Sequence, residues 1–143
     1  MNSDASADSP VIDRHLTLDT LTAIRSAVED AARDAGMNGD RAVGFALAID
    51  EAMTNAIRYA GGGIVSITAV PGAYVAIDVR DQGPGIPDGV TADLPSPGAV
   101  RGRGLWLMRS LCDRLDIDTG SDGTSVRLFA FVGSPDGPIR PAP

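Results

Sequence analysis

DRAVGFALAIDEAMTNAIRYAGGG, residues 40–63, is a run of helix-compatible residues closed by three glycines. Asp40 is placed to cap the start of such a helix, and the glycines from 61 onward to end it. Its apolar residues Val43, Phe45, Leu47, Ile49, Met53 and Ile57 fall on more than one face, which predicts a largely buried helix. One stripe differs: Gly44, Ala48, Glu51, Asn55 and Tyr59 recur at steps of three and four, small at one end and polar at the other. Something is expected to approach that stripe closely. Glu51 is one of two glutamates against seventeen aspartates, and a buried Asn55 amide would need hydrogen-bond partners. Taken alone, a solvated stripe with an incidental amide explains the pattern slightly better, because E-xxx-N spacing recurs by chance.

Upstream, VIDRHL (11–16) reads as a short strand, and Leu18, Leu21, Ile24, Ala27, Val28 and Ala31 repeat at helical spacing until Gly36. Downstream, IVSITAV and YVAIDVR flank Pro71-Gly72, a hairpin signal. An irregular stretch follows from Asp81 to Arg101, with four prolines and four glycines. A third helix is expected from Leu105 to about Leu115, then two closing strands, LDIDT and TSVRLFAFV. This order predicts an α+β fold: a two-layer sandwich of three main helices on one face of a mixed, mainly antiparallel sheet. The domain is expected over 10–133, between flexible tails at 1–9 and 134–143 that are rich in Ser, Asp, Pro and Gly.

Composition narrows the chemistry. With 143 residues and 43% hydrophobic content, one core needs no cross-links. Cys112 is the single cysteine and His15 the single histidine, so neither an internal disulfide nor a four-ligand zinc site of Cys and His can form. Both are read as ordinary structural or surface residues. All twelve basic residues are arginines, which removes the lysine required by P-loop enzymes, eukaryotic-type protein kinases and Schiff-base chemistry. A net charge of −7 argues against direct nucleic-acid binding. No apolar run is long enough to span a membrane and the start is not signal-like, so a cytoplasmic chain is expected.

Three further stretches carry chemistry. After YVAIDVR comes Asp81-Gln82-Gly83-Pro84-Gly85, a carboxylate at a strand end with glycines where the backbone turns tightly or a ligand comes near. Arg101-Gly102-Arg103-Gly104-Leu105 opens a helix, where free N–H groups and the helix dipole favour anions. Gly123-Thr124 enters the last strand after a tight turn. Each alone is also explained as a plain turn or a glycine loop.

Together, in this order and on these elements, the four stretches resemble the nucleotide site of the GHKL ATPases, over most of residues 11–132. Within that superfamily EAMTNAIRYA, DVRDQGPGIPD, RGRGLWLMRSLCDRL and GTSVRLF resemble most closely the anti-sigma factor serine/threonine kinases. The resemblance implies a Bergerat, or histidine kinase-like ATPase, fold with ATP and Mg2+ as ligands. It implies that Glu51 is the general base for an incoming serine or threonine hydroxyl and that Asn55 holds the metal. Asp81 would accept from the adenine amino group, with Gly83, Gly85 and Thr124 around the same pocket. Amides near Gly102, Gly104 and Leu105 would hold phosphate oxygens, with Arg101 or Arg103 offsetting charge and 86–100 forming a lid. The implied partners are a sigma factor and an anti-anti-sigma antagonist of the STAS type, and the resemblance allows a homodimer. Tyr59 stands where many members have histidine, and the lid lacks a basic residue before Arg101. The alternative is a catalytically silent nucleotide-binding module that controls a partner by binding alone.

Overall fold

The computed structural model describes residues 11–86 and 103–133. The segments expected as tails, the stretch beyond Ile86 expected as a lid, Arg101 and Gly102 lie outside the described residues, as does the Arg103 side chain. The elements are β1 (Val11–Leu16), α1 (Leu21–Ala35), α2 (Gly39–Ala60), β2 (Gly63–Val70), β3 (Tyr74–Asp81), α3 (Arg103–Leu111), β4 (Arg114–Gly120) and β5 (Gly123–Phe131).

The strands form one sheet in the order β1-β2-β3-β5-β4. All four neighbouring pairs are antiparallel, so the mixed sheet allowed by the sequence reduces to a purely antiparallel one among the described residues. The chain leaves β3 through the D-x-G-x-G loop, passes α3, runs out along the β4 edge and returns as β5 against β3. This return brings Thr124 opposite Asp81.

The three helices cover one face. Ile67, Ile77 and Leu128 share one buried cluster with Val65, Val79 and Val126, with Phe45, Ile49 and Met53 of α2, and with Ile24 and Val28 of α1. Each of these large side chains stabilises the fold by about 1.5–3 kcal/mol on burial. The middle of the other face is polar, with Asp13, Ser66, Asp78, Arg127 and Asp116 in one cross-strand row, and one end of it carries the rings of Tyr74, Phe129 and Phe131. Ser66 Oγ donates to Asp13 at 2.6 Å and Ser125 Oγ to Asp78 at 3.0 Å, as expected of an antiparallel sheet with one solvated side. No helix among the described residues is long and apolar enough to cross a membrane.

Element boundaries differ from expectation for local reasons. The start of α2 is capped by Asn38, whose Oδ1 accepts the Arg41 N–H at 2.9 Å; Asp40 lies inside the first turn, where its charge complements the dipole. Leu18 is left out of α1, because Thr17–Thr20 forms a turn in which Thr20 Oγ1 accepts the Thr17 N–H and donates to the His15 carbonyl. Val43 and Leu47 on α2 are 48% and 42% exposed, outside the core that the rest of the helix joins. Helix α3 ends at Leu111 rather than near 115. There the Asp113 N–H donates to the Phe129 carbonyl at 2.8 Å, and the Asp113 carboxylate takes the Phe131 N–H at 2.6 Å. These bonds draw the chain into the sheet before another turn of helix can form. Cys112 at this bend is buried, and burial pushes its thiol up to about 12, so it is protonated and inert at neutral pH.

Candidate functional site

The stripe on α2 is approached by α3. At its small end Gly44 faces Leu111, a Cβ on Gly44 falling 3.6 Å from the leucine Cδ2, and Ala48 is buried. The small residues therefore serve helix packing. At the polar end the first turn of α3 sits directly on the two candidate side chains. A Cβ on Gly104 would lie 3.0 Å from Glu51 Oε1 and 3.5 Å from Asn55 Nδ2, so any side chain there would displace one of them. Neither Glu51 nor Asn55 is fully buried, and among the described residues neither side chain is engaged in a hydrogen bond or ion pair. A carboxylate and an amide thus stand unspent, one turn apart, beside the free N–H groups of a helix N-terminus. Leu105 belongs to that first turn, but the residue is 3% exposed and packs in the core.

The D-x-G-x-G segment closes the other side. Asp81 ends β3, and its Oδ1 accepts the Gly83 N–H at 2.9 Å, which fixes the carboxylate while leaving its second oxygen free. Gly85 has φ +95°, and a Cβ there would come to 2.5 Å from the Gly120 carbonyl; only glycine meets both the backbone angle and the approach of the β4–β5 turn. Thr124 is 7% exposed, and its Oγ1 lies 2.8 Å from Thr119 Oγ1.

Asn55, Tyr59, Asp81, Gly85 and Thr124 converge on one cleft between α2 and the sheet, walled by Ala52, Ala56, Val79 and Val126. Its volume is ≈ 10 Å³, about the space of one water, with Ile86 packed against the core at its mouth. Glu51 does not line the cleft; it stands beside it, next to Gly104. One end therefore offers apolar walls with a fixed hydrogen-bond acceptor, and the other offers helix N–H groups with a carboxylate and an amide. That polarity suits a ligand with a flat heterocycle and an anionic tail.

Thr119 and the alanines at 52 and 56 were not legible as site residues, whereas Ile86 was expected as the first residue of the lid. The alanines look like any buried helix positions, and Thr119 joins the site only through the β4–β5 register, which pairs it with Thr124.

Comparison with known proteins bears on the family and the fold. The sequence model described as the histidine kinase-like ATPase domain matches residues 15–129. No curated protein matches significantly. Among solved structures, the RsbU and RsbW domains of Rv1364c from Mycobacterium tuberculosis superpose with a TM-score of 0.64 at 18% identity, covering 92% of this chain and 35% of that one. The histidine kinase domain of the blue-light activated histidine kinase EL346 from Erythrobacter litoralis gives 0.52 at 24% identity, covering 77% and 62%. This chain therefore spans about a third and about three fifths of those two. The likenesses are in fold; the family match, which runs from β1 almost to the end of β5, makes this chain a member of the histidine kinase-like ATPase domain family.

Proposed function

We propose that the chain binds magnesium-ATP in this cleft and transfers the terminal phosphoryl group to a serine or threonine of an antagonist protein of the STAS type, while sequestering a sigma factor. The observation that carries the reading is the seat of Gly104 on Glu51 and Asn55. It supports the reading because a general-base candidate and a metal-ligand candidate then stand beside helix N–H groups of the kind that bind phosphate. The motif resemblance to anti-sigma factor kinases supports the same reading and supplies the partners.

In this proposal Asp81 accepts from the adenine amino group through its free oxygen, and Thr124 hydrogen-bonds the neighbouring ring edge. The first-turn amides of α3, around Gly102, Gly104 and Leu105, hold phosphate oxygens, with Arg101 or Arg103 balancing their charge. The unspent Asn55 amide oxygen fits a hard cation that prefers oxygen ligands. When bound, Mg2+ screens the charge that builds on the transferred group. Glu51, one turn before Asn55, takes the proton of the attacking hydroxyl.

The test is transfer of label from ATP to candidate antagonists with magnesium present. Wild type is expected to label a serine or threonine, and Asn55→Ala to lose more than about a hundredfold of that rate. ATP binding without transfer to any candidate would favour the silent module instead.

A further inference from the structure

One hydroxyl outside the assigned residues joins the last hairpin to the D-x-G-x-G loop. Thr119 on β4 pairs with Thr124 in the β4–β5 ladder, and their Oγ1 atoms are 2.8 Å apart. The same Thr119 oxygen accepts the Ile86 N–H at 2.8 Å. Thr124 in turn faces the cleft beside Asp81, its partner on β3. A threonine hydroxyl has one proton and two lone pairs. The direction of the Thr119–Thr124 bond therefore decides whether Thr124 shows the cleft a donor or an acceptor.

We propose that Thr119 donates its proton to Thr124, turning the Thr124 proton into the cleft and making Thr119 the positioning residue that selects adenine over guanine. This rests on the nucleotide reading above. Thr119 accepts the Ile86 N–H in either polarity, and donation to Thr124 is the polarity that places a donor beside the Asp81 acceptor. The reverse polarity would set two acceptors side by side. Adenine offers an amino donor next to a ring-nitrogen acceptor, complementary to Asp81 and Thr124. Guanine offers a carbonyl acceptor next to a ring N–H donor, mismatched at both positions.

The experiment compares ATP and GTP affinities, with magnesium, for wild type, Thr119→Val and Thr119→Ser, each checked by thermal unfolding. Valine keeps the shape and the β-branched backbone preference while removing the hydroxyl; Thr119→Ala replaces it should the valine variant not fold. Without the hydroxyl, Thr124 is free to turn and accept the guanine N–H. The preference for ATP over GTP is expected to fall about tenfold in Thr119→Val, the effect of one hydrogen bond, and to persist in Thr119→Ser. Equal weakening of both nucleotides, or an unchanged ratio, would overturn the assignment and leave Thr119 as a brace. Loss of the preference in the serine variant would also overturn it. A wild-type protein that binds neither nucleotide would instead overturn the proposed function itself.

Discussion

Glu51→Ala is expected to retain ATP binding and to lose phosphoryl transfer by about 10²–10⁴-fold, the range attributed to a positioned general base. Glu51 stands beside the nucleotide cleft rather than in its wall, so its removal leaves Asp81, Thr124 and Asn55 in place. Glu51→Gln is the sharper variant. It keeps the volume against Gly104, where the packing is close, and removes only the basicity. A glutamine variant as slow as the alanine variant, measured by single-turnover transfer to the antagonist, identifies proton abstraction as the lost step. Wild-type transfer in either variant would remove Glu51 from that role.

Asp113→Ala is expected to destabilise the fold by about 3–5 kcal/mol, because it removes the carboxylate paired with a buried guanidinium. The Arg41 and Asp113 side chains are 5% and 1% exposed and lie 3.1 Å apart. Arg41 also donates to the Phe131 carbonyl at 2.6 Å, and Asp113 takes the Phe131 N–H. The pair thus ties the start of α2, the end of α3 and the end of β5 at one point. For a chain of this size the loss corresponds to a melting temperature lower by about 10 °C or more. Replacing both partners, as in Arg41→Met with Asp113→Leu, is expected to recover much of it, since no charge then remains buried. Thermal unfolding of the two variants checks this. Because α3 carries Gly104 to Glu51 and Asn55, the single variant is also expected to weaken nucleotide binding before it unfolds.

Much of the fold could be read from local chemistry. Helical spacing through 40–60, the glycines that stop it and the alternating strands each state their element within a few residues. The motifs were legible for a related reason: Asp81 and Gly83 bond within one turn, and glycine at 85 meets a backbone angle that other residues avoid. What could not be read is what depends on distant parts of the chain meeting. Arg41 and Asp113 are far apart in sequence, and neither residue type announces burial. Thr119 acquires its place only when β5 pairs with both β3 and β4. Val43 and Leu47 carry the same apolar signal as Phe45 and Ile49, yet the packing partners of α2 reach only part of its circumference. The small stripe from Gly44 was legible as a close approach, but the approaching group at that end is α3.

The central claim is that a nucleotide lies between the α2 stripe and the paired ends of β3 and β5, and calorimetric titration with magnesium-ATP tests it most directly. Wild type is expected to bind one ATP, and Asp81→Asn, which replaces an acceptor-only carboxylate oxygen with a group that can also donate, to bind at least about tenfold more weakly. Absence of ATP binding in the wild type, or equal affinity in Asp81→Asn, would contradict it.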